Sequence, residues 1–190
     1  MFAPDEDPSH DACPDRVSTP WCLYSDGYRR AARLVVDGCK TFYDRNTLLY
    51  PIGFLYRQYV ELALKEFILL GNKVVAQPYP LPKRHDLGEL WSLCKKIARE
   101  RRLPMSSADL AELDGAIHEL NAFDPTSENF RYPVDKRGAP SSPGRFRNLS
   151  IRGLAKAMDR LAAHLRNLDG LLGADIDLEE EFRSDLYPEA

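Results

Sequence analysis

Apolar residues recur at intervals of three and four along most of this 190-residue chain, and no segment alternates convincingly with a period of two. The first spacing places apolar side chains on one face of an α-helix, whereas a period of two would place them on one face of a strand. Turn-forming residues divide the helical pattern into separate segments. The sequence therefore predicts an all-α protein, an up-and-down bundle of about five helices.

Start and stop signals set the bounds of these helices. The expected ranges are 26–43, 47–70, 86–102, 107–123 and 147–168. Asp26, Asp86 and Ser106 are the expected N-caps, and Gly170 is the expected end of the last helix. The segment 124–146 is rich in Pro, Gly, Ser and Arg and exceeds an ordinary helix connection of about 2–8 residues. We therefore expect a long crossover loop before the last helix.

Charge is distributed unevenly along the chain. Residues 1–20 carry a net charge of −4 and residues 175–190 one of −6, while the whole chain carries −3, which leaves +7 for residues 21–174. The first segment contains four prolines and little that could be buried, which is typical of a flexible arm. We expect an acidic arm at 1–20, a helical domain at 21–174 and an acidic tail at 175–190. The basic domain could bind a polyanion, or its cations could be an ordinary solvated exterior.

Composition argues against several classes of protein. No stretch approaches the roughly 18 uninterrupted apolar residues of a membrane-spanning helix. The N-terminus has neither the basic nor the apolar region of an export signal, and we expect a cytoplasmic location without membrane contact. The four cysteines, at positions 13, 22, 39 and 94, are far apart and lack partners spaced for zinc, which favours reduced thiols. We expect neither a metal nor a cofactor.

Three charged residues stand out on the second predicted helix. Arg57, Glu61 and Lys65 are spaced four residues apart and therefore share one helix face. One interpretation is a surface row of ion pairs, worth about 0.3–0.5 kcal/mol each, or the rim of a dimer interface. The other is a polar cleft, in which Glu61 fixes one cation and leaves the second for an anionic ligand.

A lone histidine lies at the start of the third predicted helix. His85 precedes the expected N-cap Asp86 and follows Lys83 and Arg84. A histidine at this position can brace a loop. It can also act as a general acid or base, provided that a substrate lies within hydrogen-bond reach.

The expected crossover loop combines aromatic residues with arginines. Residues 127–138 include Arg131 beside Tyr132, with Arg137 farther along. Loops that carry both aromatic anchors and arginine suggest that a guanidinium is placed into a site. The alternative is that Arg131 pairs with Glu61 or another carboxylate and holds the loop on the bundle.

These features, taken in order, resemble a known family. The segments that carry the resemblance are 56–65 (YRQYVELALK), 83–91 (KRHDLGELW) and 124–133 (DPTSENFRYP). Together they resemble the HEPN superfamily of helical bundles, over roughly residues 25–170. The resemblance implies an up-and-down bundle, often a dimer, and a place in prokaryotic toxin–antitoxin or antiphage systems, where many members are metal-independent ribonucleases.

The catalytic signature of that family is an arginine followed a few residues later by a histidine. Arg131 is the best match for the arginine, but residues 135–138 are Asp, Lys, Arg and Gly. The leading hypothesis is therefore a non-catalytic, HEPN-like binding or regulatory module for RNA, a nucleotide or a protein partner, present as a homodimer. Its candidate ligand-binding residues are Arg57, Glu61, Lys65, Tyr132 and Arg137, with phosphate contacts expected from Arg131, Arg137, Arg145 and Arg147.

Two alternatives remain open. The first is a divergent metal-independent ribonuclease in which His85 is the catalytic base. In that hypothesis Arg131, with Arg57 or Lys65, stabilises the charge that develops on the phosphorus. The second is a purely structural homodimer or antitoxin-like partner, in which the acidic arm masks the basic surface until another molecule displaces it.

Overall fold

Helix accounts for all the regular structure that the computed structural model describes, which covers residues 20–141 and 149–186. The helices are α1 (Pro20–Gly38), α2 (Phe42–Thr47), α3 (Leu49–Gly71), α4 (Leu87–Glu100), α5 (Ser107–Phe123) and α6 (Ile151–Leu186). No β-strand occurs in the described ranges, and a single isolated bridge joins Val134 to Pro140. The predicted all-α bundle is confirmed, with the short α2 added to the five helices expected.

The third helix is the centre of the bundle. α3 packs against α1, α4 and α6, while α5 packs against α4 and α6. Its buried residues are Leu49, Ile52, Gly53, Tyr56, Arg57, Tyr59, Val60, Glu61, Leu64, Phe67, Ile68 and Gly71. Helices that are apolar nearly all round belong in the interior. The two charged residues in this set therefore need protein partners for their charges.

Side-chain caps begin α4 and α5 as the sequence predicts. The Asp86 carboxylate accepts a hydrogen bond from the backbone N–H of Glu89 at 3.0 Å. The Ser106 hydroxyl accepts one from the backbone N–H of Asp109 at 3.0 Å. Each cap satisfies an N–H that has no partner within its own helix. The expected starts of both helices are confirmed.

The first predicted helix, 26–43, is wrong in its bounds and its buried face. α1 begins six residues before Asp26 and ends at Gly38, and α2 then starts behind a new N-cap, Thr41. The capping box that Thr41 forms with Asp44 supplies the local reason for the break. The apolar positions 34 and 42 of the predicted face are exposed, whereas the core-facing residues of α1 are Ser25, Ala32 and Val36.

The predicted end of the last helix at Gly170 is also wrong. α6 starts at Ile151 and continues through Gly170 and Gly173 to Leu186. A glycine inside a helix costs about 1 kcal/mol relative to alanine. Burial of Leu172 and Ile176 offsets that cost. Residues 175–186, the greater part of the expected acidic tail, are thus the last turns of α6.

Some expectations fall outside the described residues. They concern the acidic arm at 1–20, apart from the start of α1 at its last residue, and the phosphate contacts of Arg145 and Arg147. The part of the expected crossover loop that is described, 124–141, is non-helical as predicted. None of the described helices is both long and apolar enough to cross a lipid bilayer.

Candidate functional site

A buried arginine connects three parts of the bundle. Arg57 is fully buried on α3, and each nitrogen of its guanidinium has a protein partner. Nε donates to the carbonyl oxygen of Asp124 at 2.9 Å, Nη1 donates to Glu61 Oε2 at 2.8 Å, and Nη2 donates to the carbonyl oxygen of His85. Burial lowers the pKa of Arg57, although the nearby Glu61 and Asp124 carboxylates act in the opposite direction. Arg57 therefore ties α3 to the end of α5 and to the loop before α4.

The buried carboxylate of Glu61 holds the side chains of Lys65 and His85 as well as that of Arg57. Oε1 accepts a hydrogen bond from Lys65 Nζ at 2.7 Å and lies 2.7 Å from His85 Nδ1, while Oε2 accepts from Arg57. Burial acts to raise the pKa of Glu61, but the hydrogen bonds from Lys65 and His85 and the charges of Lys65 and Arg57 outweigh it and lower that pKa. Glu61 is therefore ionised, and His85 Nδ1 carries the hydrogen that it receives.

This geometry decides between the two interpretations of the Arg57–Glu61–Lys65 row. A solvent-exposed row of ion pairs is wrong, because Arg57 and Glu61 are 0% and 1% exposed. The cleft interpretation is wrong in one respect, since Glu61 binds both cations instead of leaving one free. Only Lys65, whose side chain is 17% exposed, reaches solvent from this row.

His85 connects the buried network to the surface. Its ring is 52% exposed, and Nε2 has no protein partner in the described part of the chain. Lys65 Nζ and His85 Nδ1 share one oxygen of Glu61 and so lie close together at this opening. The neighbouring Lys83 and Arg84 are exposed and form no ion pair with a described residue. We call the surface made by Lys65, Lys83, Arg84 and His85 the cationic opening.

The second candidate, Arg131, lies over an aromatic ring instead of a carboxylate. Its guanidinium carbon is 5.9 Å from the centre of the Phe54 ring and 5.4 Å from that of Tyr132. Nε donates to the carbonyl oxygen of Ser127 at 2.5 Å. The alternative in which Arg131 pairs with Glu61 is wrong. The arginine that holds the crossover loop on the bundle is Arg57, through Asp124.

No hydrogen bond joins the side chains of His85 and Arg131 within the described residues. Each is anchored on the same face of α3, His85 at Glu61 and Arg131 at Phe54, because residues seven apart return to the same side of a helix. That separation along the axis is about 10 Å. The structure thus aligns the two candidates along one face without bringing them together.

Arg137 projects from a tight turn in the crossover loop. The Asp135 carboxylate accepts hydrogen bonds from the backbone N–H groups of Arg137, at 2.8 Å, and Ala139, at 2.9 Å. Gly138 has φ +79°, a left-handed conformation that favours glycine. The Arg137 side chain is exposed and unpaired among the described residues, and Tyr132 is 53% exposed. Both residues are therefore available to a ligand, although neither touches the cationic opening.

Asp124 has no individual role in the sequence analysis, which names it only as part of the 124–133 segment. This side chain is fully buried, and its Oδ1 accepts from the backbone N–H groups of Glu128 at 2.8 Å and Asn129 at 2.9 Å. Oδ2 lies 3.8 Å from Arg57 Nε. An aspartate before proline at a helix end commonly caps the following turn, and this was the available signal. Asp124 shapes the loop that covers Arg57.

A close contact between the backbone of Gly53 and the ring of Phe130 holds the same loop in place. The Phe130 ring packs directly against the Cα of Gly53 on α3, in the space that a Cβ atom would occupy. Phe130 is 6% exposed, so this contact anchors the loop in the core. The position of Arg131, the next residue, follows from that anchor.

No group of three or more His, Cys, Asp or Glu residues in the described ranges is arranged to hold a metal ion. Comparison of the chain with family models, curated proteins and solved structures finds no match. Arguments about function therefore depend on the geometry of the site and on the motifs themselves.

Proposed function

We propose that the chain is a HEPN-like binding module for RNA, and that the RNA backbone contacts the cationic opening. The observation that carries this proposal is the arrangement around Glu61, which holds Lys65 in place together with His85, the residue that follows Lys83 and Arg84 in the sequence. Polar side chains fixed in this way bind phosphate groups with little further ordering. Phosphate contacts account for most of the affinity of a non-specific nucleic-acid interaction.

The aromatic ring of Tyr132 supports the same proposal. Tyr132 is half exposed, and the Arg131 guanidinium lies against its ring. Bases of single-stranded nucleic acids stack on exposed aromatic rings and on guanidinium planes, at about 1–3 kcal/mol per base. A strand that follows this face of α3 would place phosphates on Arg84 and Lys83 and a base on Tyr132.

A pair of charge-reversal variants tests the proposal. In the Lys83→Glu/Arg84→Glu variant we expect affinity for a labelled single-stranded RNA, measured by fluorescence anisotropy at low salt, to fall at least about tenfold. The matched control is Arg152→Glu/Lys156→Glu, which makes the same change in net charge at exposed positions of α6. Equal losses of RNA affinity in both variants would show that overall charge, and not this surface, determines binding. Unchanged binding in the first variant would contradict the proposed surface.

A divergent ribonuclease is the second candidate, and the Glu61–His85 contact favours it. A carboxylate that orients one ring nitrogen leaves the other, Nε2, able to accept a proton from a ribose 2′-hydroxyl. Lys65 is then the nearest cation for the phosphoryl oxygens. Arg57 has no such role here, because all its nitrogens already have protein partners.

RNA cleavage by His85→Ala and Glu61→Gln separates the two candidates. If the enzyme hypothesis holds, His85→Ala loses at least about 100-fold in cleavage rate while keeping RNA affinity within a few fold. Glu61→Gln, which removes the charge that positions His85, should lower the rate and shift its pH profile. Both rates are measured in the presence of a chelator. Absence of cleavage by the parent protein rules out the enzyme and favours the binding module.

The HEPN resemblance also brings a homodimer and a place in a defence or toxin–antitoxin system into this proposal, and both depend on the motifs alone. The expected cytoplasmic location stays a prediction beside them. Sedimentation of the full chain measures the oligomeric state directly.

A further inference from the structure

A cavity of about 90 Å³ lies between α1, α3 and α6. It is mainly on the other side of α3 from the cationic opening, since three of its five α3 residues, Tyr59, Ala63 and Glu66, are close to half a turn away from Glu61. Ser25 and Asp26 line it from α1, and Arg166 and Asp169 line it from α6. This cavity has no part in the RNA-binding proposal.

Two carboxyl groups in the cavity have no cationic partner. Among the described residues, neither Glu66 nor Asp169 forms an ion pair, and Asp169 Oδ1 is buried without a hydrogen bond. The Ser25 hydroxyl donates a long hydrogen bond, 3.5 Å, to Glu66 Oε2. Burial raises the pKa of Asp169, and burial together with the charges of Asp169 and Asp26 raises that of Glu66. Ionised carboxylates in such a place are unfavourable unless a cation joins them.

A tyrosine of the cavity wall, Tyr59, has a hydroxyl without a hydrogen-bond partner among the described residues. Tyr59 is only 4% exposed, and its hydroxyl makes no hydrogen bond within the described residues. Burial raises its pKa to about 12, and the charged groups that act on it are Arg29, Arg166, Asp26 and Asp169. The Tyr59 hydroxyl is thus a third oxygen of the cavity lining that is able to accept a hydrogen bond.

Neither of the two arginines near the cavity pairs with Glu66 or Asp169. Arg29 pairs with Asp26 at 3.4 Å, and its buried Nε has no hydrogen bond. Arg166 is exposed and forms no ion pair with Glu66 or Asp169. The remaining titratable group of the lining, Cys22, comes from α1 and carries no positive charge. In the described part of the chain, both carboxyls therefore lack a paired cation, although Arg166 lies on the same cavity wall.

We propose that this cavity binds a primary ammonium group, which donates hydrogen bonds to Glu66, Asp169 and the Tyr59 hydroxyl. An ammonium group is a compact point charge with three donors, which matches in number the three oxygen acceptors that α3 and α6 supply. Two carboxyls alone are a poor set for a divalent metal, which takes six or more oxygen ligands as calcium or magnesium. The ammonium is that of a small free amine or of a lysine side chain from a partner protein, two sources with the same chemistry.

Thermal unfolding of the full chain with simple ammonium salts tests the site. We expect methylammonium chloride to raise the melting temperature with a saturating concentration dependence, because a ligand that binds only the folded state stabilises it. Sodium chloride and tetramethylammonium chloride, at equal ionic strength, should not produce the saturating shift. An equal shift with sodium chloride would overturn the proposal, since a general salt effect would then explain it.

Variants of the lining residues test whether methylammonium binds in this cavity. Asp169→Asn and Glu66→Gln should each weaken methylammonium binding at least about tenfold, and Tyr59→Phe by a smaller factor. The control Asp177→Asn removes an exposed carboxylate of the same helix and should leave binding unchanged. If Asp169→Asn binds methylammonium as well as the parent does, the site is elsewhere and the proposal fails. Asp169→Asn removes a buried charge without changing side-chain size, so the variant is expected to fold.

A further comparison distinguishes the sources. Tighter binding of N-acetyl-lysine methylamide than of methylammonium indicates a lysine side chain, whereas binding of methylammonium alone indicates a small amine. The Lys83→Glu/Arg84→Glu variant should retain ammonium binding, because those residues lie on the other side of α3. Failure of the RNA-binding proposal would therefore leave this one intact.

Discussion

Arg57 has more consequences for the structure than any other single residue of the site. Its side chain is 0% exposed and connects Glu61, the carbonyl of Asp124 and the carbonyl of His85. Taking charges out of water costs several kcal/mol per ion, which the pairing must offset. A buried pair that is intact contributes little net stability, but loss of one partner leaves the other charge buried and alone.

Replacement of Arg57 should therefore be severely destabilising. We expect Arg57→Ala to lower the free energy of unfolding by about 3–5 kcal/mol, measured by urea denaturation, since Glu61 loses a partner in the interior. Arg57→Lys should recover less than half of the loss, because a single ammonium cannot reach three acceptors in the directions that the guanidinium does.

The control for Arg57 is an exposed arginine with a good ion pair. Arg33 contacts Asp159 at 2.6 Å, with both side chains nearly half exposed. Arg33→Ala should cost less than about 1 kcal/mol. Equal losses for Arg57→Ala and Arg33→Ala would show that burial of the network has no energetic consequence.

At the level of single residues, the sequence could predict which side chains share a helix face but not whether that face is covered. The spacing of Arg57, Glu61 and Lys65 placed them together correctly. Their burial depends on two segments distant in sequence, the loop before α4 and the loop around Asp124, which close over them. The spacing of residues within one helix does not show whether other segments pack over that helix.

At the level of elements, the predicted helix bounds are wrong where a capping signal and the apolar pattern disagree. The Thr41–Asp44 capping box was legible in the sequence, but Phe42 was taken as an apolar position of a continuing helix. Phe42 is 76% exposed, so it provides no reason for the helix to continue. At α4 and α5, cap and periodicity agreed, and there the predicted starts are correct.

In the last helix, the apolar pattern outweighs a helix-stop signal. Gly170 is a common kind of helix stop, yet α6 passes through it because apolar residues continue on the core-facing side to Ile176. Arg101, at the end of α4, then contacts Asp175 at 2.6 Å and Glu179 at 2.7 Å. Tertiary contacts with another helix thus stabilise the part of α6 that continues past Gly170.

For the whole molecule, the contacts of Arg101 with Asp175 and Glu179 require a different interpretation of the charge pattern. The acidic residues after position 174 suggested a boundary between a basic domain and a tail. The structure instead places residues 175–186 in α6, with Ile176 7% exposed and two of the acids paired to Arg101. Part of the negative charge at this end of the chain therefore belongs to the packed bundle.

Truncation measures how much the last turns of α6 contribute. We expect a chain ending at Ala174 to lose about 2–4 kcal/mol of unfolding free energy relative to the full chain, in urea denaturation. Burial of Ile176 contributes about 1.5–3 kcal/mol of this and the Arg101 pairs the smaller remainder. A chain ending at Leu186 is the control and should match the full chain. Arg101→Ala in the full chain isolates the ion pairs and should cost less than the truncation. If the chain ending at Ala174 is as stable as the full chain, the bundle ends where the charge pattern alone would place its boundary.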